Sequence, residues 1–184
     1  IGNERGISFC YQSLSISFIE LKQYSQALVY ANKSLKIKTA ENDKRGLGTV
    51  QITFGNIYLG MGQFDKALLH FNTGLNIARE LKLLPSEKTC YINLAKVYRA
   101  KNDFKQAVEY FNLSKLLAMQ LKDTSTVVEI EAELIAMQRT NTATVMAEKK
   151  LQSNIELFQE RGDLDREASG YKNMVDFYTV NKEF

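Results

Sequence analysis

The feature that most constrains this chain is a sequence period of 40 residues. Four alanines share that spacing, at Ala27, Ala67, Ala107 and Ala147. Each of the first three alanines is the last residue of a similar six-residue stretch. The stretch begins with two turn-forming or polar residues, and an aromatic residue and two polar residues follow before the alanine. These stretches are Lys22–Ala27, Gly62–Ala67 and Asn102–Ala107. A fixed period of this size indicates stacked copies of one supersecondary unit, so the sequence predicts a repeat array.

Composition favours helices and excludes several classes of partner. The 184 residues include one proline and no tryptophan, and proline breaks helix interiors. A net charge of +3 is too small to indicate binding to nucleic acid or to an anionic membrane. No run of about 18 apolar residues occurs, so we expect no membrane insertion. The chain opens at Ile1 without a methionine, and we expect it to be a segment of a longer protein.

Cap residues mark where the repeats begin. An asparagine or aspartate stands in phase just ahead of four helical patterns, at Asn3, Asp43, Asp123 and Asp163. The third repeat has Leu83 at this position, followed by Pro85, which suits a first helical turn. We divide the chain into one array of five repeats, at about 1–40, 41–80, 81–120, a degenerate 121–160 and a partial 161–184.

Each full repeat is predicted to contain two helices of about 17 residues joined by short connections. Apolar residues at helical spacing give the first helix one buried face, as at Phe54, Ile57, Tyr58 and Met61. On the second helix the repeated alanine lets two backbones approach closely. Small residues should face it, at Ser15, Gly55 and Ala95, and aromatic residues should fill the wedge at the turn, at Tyr24, Phe64 and Phe104. The fold class is therefore all-α, a solenoid of antiparallel helix pairs with about nine helices.

The fourth repeat keeps the period but loses much of the pattern. Ala147 and Asp123 remain, whereas Ile135, Gln138 and Thr144 replace the small residue, the tyrosine and the turn aromatic. Helix-forming residues still dominate on both sides of the expected turn. We predict two helices here, from Thr126 to Arg139 and from Val145 to Arg161. The fifth repeat recovers the pattern at Met174, Val175, Tyr178 and Phe184.

The repeat resembles the tetratricopeptide repeat. That family's motif places a small residue and a tyrosine on the first helix, a glycine and an aromatic residue at the turn, and alanine, an aromatic and a small residue on the second helix. The second repeat matches at Gly55, Tyr58, Gly62, Phe64, Ala67, Phe71 and Gly74. The third matches at Ala95, Tyr98, Phe104, Ala107, Phe111 and Ser114, and the first at Leu14, Ser15, Phe18, Tyr24, Ala27 and Ser34. The usual unit has 34 residues, so the 40-residue period indicates longer helices.

The resemblance implies a right-handed superhelix whose first helices line a concave groove. It would place five polar side chains towards that groove, at Asn56, Asn93, Lys96, Arg99 and Arg139. Such groups bind a peptide carboxylate or acidic side chains through charge-assisted hydrogen bonds. The first repeat offers Gln12, Ile16 and Ile19 instead. The alternative is that Lys96 and Arg99 form a solvated helix face.

No catalytic, cofactor-binding or metal-binding constellation is apparent in the sequence. His70 is the single histidine and occupies the register of Tyr30 and Tyr110, which predicts a structural role. Cys10 and Cys90 occupy the same place in two repeats, with two helices between them. That separation of about 20 Å is too long for a disulfide. We expect both to be free thiols in the core.

The sequence supports three functional hypotheses that differ in context. The first is a sensory or regulatory module of a larger bacterial signalling protein that binds a protein or peptide segment. The second is the non-catalytic part of a sensor histidine kinase, and the third a stand-alone adaptor or co-chaperone. Forty-residue repeats of this style are similar to those of bacterial sensor kinases and Rap-type regulators. The domain would be cytoplasmic or the periplasmic part of a membrane-anchored sensor. No nucleic-acid partner is expected.

Overall fold

The computed structural model describes residues 4–162, 165, 166, 168–173 and 176, except for the side chains of 139–144, 147, 148 and 158. Every regular element among these residues is an α-helix. Six helices have 17 residues each: α1 (Glu4–Glu20), α2 (Tyr24–Ala40), α3 (Lys44–Gly60), α4 (Phe64–Glu80), α5 (Leu84–Ala100) and α6 (Phe104–Gln120). The helix α7 (Thr124–Glu160) has 37 residues. Helical residues also occur between 165 and 176. The prediction of an all-α, tetratricopeptide-like helical repeat fold is confirmed.

The three-residue connections between the first seven helices share one backbone conformation. The middle residue of each connection has a positive φ, between 51° and 71°, at Lys22, Asn42, Gly62, Lys82, Asn102 and Lys122. In the first connection the Gln23 N–H donates to the Phe18 carbonyl oxygen at 2.8 Å. This bond spans five residues and satisfies a carbonyl at the helix end. The left-handed residue therefore ends one helix and turns the chain into the next.

The fourth repeat differs from its prediction. Two helices were expected there, from Thr126 to Arg139 and from Val145 to Arg161, but α7 runs continuously from Thr124 to Glu160. The left-handed turn residue recurs every 20 positions, and the next one expected after Lys122 is residue 142. That residue is a threonine, and a β-branched residue strongly disfavours positive φ. The spacing resumes at Gly162, which has a φ of 65°.

The helix crossings are built around the repeated alanine. Ala27, Ala67 and Ala107 are completely buried. In the first repeat the Ser15 hydroxyl donates to the Ala27 carbonyl oxygen at 2.9 Å, which joins the predicted small residue to its alanine. In the second repeat a Cβ on Gly55 would overlap the ring of Phe71. These close approaches explain why the first helices carry small residues at this register.

Buried side chains form two clusters that follow the repeats. One cluster joins α2 and α3, through Ala27, Ala31, Val50, Phe54 and Ile57. The other joins α4 and α5, through Ala67, Phe71, Leu75, Cys90, Tyr91, Leu94 and Val97. Each cluster therefore contains the second helix of one repeat and the first helix of the next. No repeat completes its core alone, as expected for stacked units.

The predicted N-caps are present where the structure describes them. Asp43 accepts a hydrogen bond from the Gly46 N–H at 2.8 Å, and Asp123 accepts one from the Thr126 N–H at 3.1 Å. Leu83 makes no side-chain cap, and Pro85 lies in the first turn of α5. Asn3 and Asp163 lie outside the described residues.

The histidine and the two cysteines occupy different environments. His70 stacks on Tyr58 with ring centroids 5.2 Å apart, as Tyr30 stacks on Phe18 and Tyr110 on Tyr98. Both cysteines are free thiols, and Cys90 is buried. The expectation of a core position for Cys10 is wrong, because this residue is exposed. In the second cluster Cys90 packs under the preceding helix α4, whereas no helix precedes α1 among the described residues.

Contacts divide the chain into two compact units, Ile1–Val128 and Glu129–Phe184. The two buried clusters and helices α1–α6 lie in the first unit. In the second unit, Ile155 of α7 is buried and lies close to Gly170. None of the described helices is both long enough and apolar enough to cross a membrane. A single array across 1–184 stays a prediction.

Candidate ligand-binding groove

A groove of about 660 Å³ lies on the face formed by the first helices of three repeats. Helix α3 contacts both α1 and α5, so it forms the floor between them. The lining runs obliquely across these helices. It includes the C-terminal half of α1, most of α3 and the N-terminal two-thirds of α5. The resemblance to the tetratricopeptide repeat implied ligand binding on this face, and such binding stays a prediction.

One half of the groove is apolar. Ile16 and Ile19 of α1 line it, together with Ile52 and Leu59 of α3. Ile16 is about half exposed. Asn56 occupies the equivalent position in the next repeat. An exposed isoleucine in a concave surface offers apolar area that a ligand side chain can cover.

The other half is polar and is built mainly by α5. Asn93 is only 7% exposed and lines the groove, with Ser86 and Thr89 on the same helix. Its side-chain amide has no hydrogen-bond partner among the described residues. Thr53, which holds the same register on α3, is also buried, but its hydroxyl donates to the Thr49 carbonyl oxygen at 3.1 Å. Among the described residues, only Glu41 has a fully buried side-chain polar atom without a partner. The amide of Asn93 therefore keeps some exposure to the groove, where a ligand group can reach it.

Two charged side chains line the described groove, and they lie on opposite sides of α3. Glu20 ends α1, and Lys96 lies on α5. Neither makes an ion pair with any residue in the described part of the chain. Elsewhere in the array, some charges of successive repeats are paired, as in Lys88 with Asp123 and Lys101 with Asp65.

The structure brings together three of the five residues that the sequence assigned to the groove. Asn56, Asn93 and Lys96 all line it. Arg99 is partly buried on α5 and does not line it; Lys96 is the last residue of α5 that does. The side chain of Arg139 lies outside the described residues. The sequence analysis did not predict that Glu20 lines the groove. Its position directly after Ile16 and Ile19 on α1 could have indicated this.

Reactive groups are sparse in the described structure. No group of three or more histidine, cysteine, aspartate or glutamate side chains among the described residues is arranged to hold a metal ion. Burial raises the pKa of the Cys90 thiol to about 12, so it stays protonated at neutral pH. The His70 ring lies between α3 and α4, with its Nδ1 2.7 Å from the Gln51 Oε1.

The fold and the groove together define a helical-repeat scaffold with a groove on the face of its first helices. The profile of the tetratricopeptide-repeat family matches residues 8–80 and 47–114, which together exceed half of the chain. The chain therefore belongs to the tetratricopeptide-repeat family. Comparison with curated proteins returns no match.

Two solved structures have a similar fold and a low sequence identity to this chain. Aspartyl phosphate phosphatase F from Bacillus subtilis is 12% identical, with a TM-score of 0.63 over 97% of this chain and 61% of that one. A Rap protein crystallised with competence and sporulation factor is 15% identical, with a TM-score of 0.61 over 100% of this chain and 66% of that one. At these identities the likeness shows the fold. The chain spans about two-thirds or less of the length of both structures.

Proposed function

We propose that this chain is a binding scaffold that holds a protein or peptide segment in the groove of α1, α3 and α5. In this proposal it is the sensory or regulatory module of a larger bacterial signalling protein and does not itself catalyse a reaction. The observation that carries the proposal is the side-chain amide of Asn93, which lines the groove and has no hydrogen-bond partner among the described residues. A peptide backbone offers both a donor and an acceptor at every residue, which is what an asparagine amide pairs with.

Lys96 and Asn56 extend the same polar surface. The Lys96 ammonium is exposed and has no ion pair among the described residues, so a ligand carboxylate can approach it without displacing a protein partner. Arg99 and Arg139 remain proposed ligand contacts, the first adjoining the groove on α5 and the second beyond the described side chains.

The first test replaces Asn93 by leucine, whose side chain has the same number of heavy atoms and the same branch at Cγ. Because the amide has no hydrogen-bond partner among the described residues, we expect Asn93→Leu to leave the melting temperature unchanged or slightly raised. We expect the variant to lose about tenfold in affinity for hexapeptides selected from a pooled synthetic library by affinity mass spectrometry, since one or two buried hydrogen bonds to the ligand are lost.

Ser114→Ala provides the matched control. Ser114 is equally buried, lies outside the groove and donates to the Lys88 carbonyl oxygen at 3.2 Å. We expect this control to lower the stability by about 1 kcal/mol and to bind the selected peptides as the parent does. Failure of the parent chain to retain any hexapeptide would contradict the proposed function. Loss of stability in Asn93→Leu without loss of binding would assign the amide to the fold.

The signalling context has two alternatives. One is the non-catalytic part of a sensor histidine kinase, and the other is a stand-alone adaptor or co-chaperone. The similarity in fold to a Rap protein crystallised with competence and sporulation factor supports a regulatory scaffold over an adaptor. The kinase alternative is tested by incubating the protein encoded by the full reading frame with ATP. A phosphorylated histidine would support it, and its absence would contradict it.

A further inference from the structure

The groove has a charge at each side, and the two charges are opposite. Glu20 lines it from α1 and Lys96 from α5, with α3 between them. We propose that the ligand is a dipolar peptide segment, with a cationic group held by Glu20 and a carboxylate held by Lys96. This inference rests on the proposed function and names the class of peptide that the groove selects.

Glu20 and Lys96 are exposed and, like many charged side chains in the described part of the chain, make no ion pair with a described residue. Some other cations are paired with carboxylates about one repeat away, as Lys44 is with Glu80 and Lys101 with Asp65. Glu20 and Lys96 are the charged residues that line the described groove, and no described residue neutralises either. A ligand that brings the complementary charges gains both attractions without breaking an existing ion pair.

The separation of the two charges sets the length of the segment. Packed helices lie about 8–10 Å apart, so α1 and α5 are about 16–20 Å apart across α3. An extended chain rises about 3.3 Å per residue. Five or six residues therefore join the cation to the carboxylate.

The lining between the charges sets the character of the middle of the segment. Ile16 and Ile19 lie on the Glu20 side, and Ile52 and Leu59 lie on the floor. Asn93 and Thr89 lie on the Lys96 side. The segment should therefore place apolar side chains next to its cationic end, and a backbone free to bond the Asn93 amide next to its carboxylate end.

The test uses three labelled hexapeptides that share a middle of alternating leucine and serine. One has lysine and glutamate at its two ends, one has two lysines and one has two glutamates. Blocked termini confine the charges to side chains. In a second set with neutral end residues, the dipole comes from a free α-amino and a free α-carboxyl group, and the two comparison peptides keep only one of these termini free. Comparing charge patterns in this way does not depend on the direction in which a peptide lies.

We expect the parent chain to bind the dipolar peptide about fivefold or more tightly than either like-charged peptide at low salt. Glu20→Lys should change the preference to the two-glutamate peptide, and Lys96→Glu to the two-lysine peptide. The double variant Glu20→Lys with Lys96→Glu should restore the preference for the dipolar peptide. A dipolar preference in either set of peptides supports the proposal.

Equal binding of all three charge patterns in both sets overturns the dipolar inference, as does a double variant that fails to restore the preference while retaining its helical circular dichroism. The proposed function survives either result if Asn93→Leu still weakens binding of the selected peptides. It falls only if the parent chain binds no peptide at all.

Discussion

At the scale of single residues, His70 shows how one side chain makes stability depend on pH. Its ring stacks on Tyr58 and on Phe54 at centroid distances of 5.2 Å, and Lys66 lies 5.3 Å from the Tyr58 ring centroid. Burial lowers the pKa of His70. Because the folded pKa lies below the unfolded one, this stabilisation is complete above the unfolded pKa of about 6.5 and is lost as pH falls through the folded pKa. We expect the melting temperature to fall between pH 7.5 and 5.

His70→Tyr is the matched variant for this prediction. The equivalent residues in the adjoining repeats are Tyr30 and Tyr110, and both make the same stacked pair, so tyrosine fits the site. The variant should keep the helical circular dichroism and lose the part of the pH dependence that His70 contributes. An identical fall in melting temperature in parent and variant would show that other groups cause it.

The sequence predicted residues best where the register repeats with the same neighbours. The burial of Ala27, Ala67 and Ala107 and the stacking position of His70 follow from alignment of the repeats, because each has a complete crossing around it. Cys10 shares the register of Cys90, but the described residues contain no helix before α1 that could cover it. The register alone therefore could not predict its exposure.

At the scale of elements, the continuous helix α7 tests what a repeat turn requires. Six earlier connections have lysine, asparagine or glycine at positive φ, whereas residue 142 is threonine. Thr142→Gly supplies a residue that adopts the left-handed conformation readily and costs about 1 kcal/mol within a helix. We expect faster amide hydrogen exchange around 138–148 and a loss of helical circular dichroism.

Thr142→Ala is the control for that prediction. Alanine favours the helix more than threonine does and does not favour positive φ. We expect it to slow exchange over the same amides. If the glycine variant exchanges no faster than the alanine variant, the identity of residue 142 does not explain the missing turn.

The bounds of α1–α6 were predictable because two periodic signals agree. The apolar spacing gives each helix, and the turn residues end it every 20 positions. The groove was predictable in part, because Asn56, Asn93 and Lys96 lie on first helices at the register that faces inward. The oblique path of the groove was not predictable from the sequence. It includes Glu20 at the end of α1 and leaves out Arg99 on α5. That path depends on how the repeats are staggered in three dimensions.

At the scale of the whole molecule, the groove and its supporting cores lie within one compact unit. Every residue that lines the groove and both buried clusters belong to Ile1–Val128. This unit also contains the cap at the start of α7, where Asp123 pairs with Lys88 and accepts from Thr126. Three full repeats bury these two clusters between them, and three is the usual minimum number of repeats for a stable array.

We therefore expect a chain truncated after Val128 to unfold cooperatively in urea and to bind the dipolar hexapeptide within about twofold of the parent affinity. Stability in a repeat array is a sum of repeat and nearest-neighbour terms, so removal of later residues should act mainly on the end of α6. Truncation after Gln120 is the contrasting variant, because it also removes the Asp123 cap and its ion pair with Lys88. It should unfold at lower urea than the longer fragment. If truncation after Val128 abolishes binding while the helical signal per residue stays unchanged, the groove needs residues beyond the first unit.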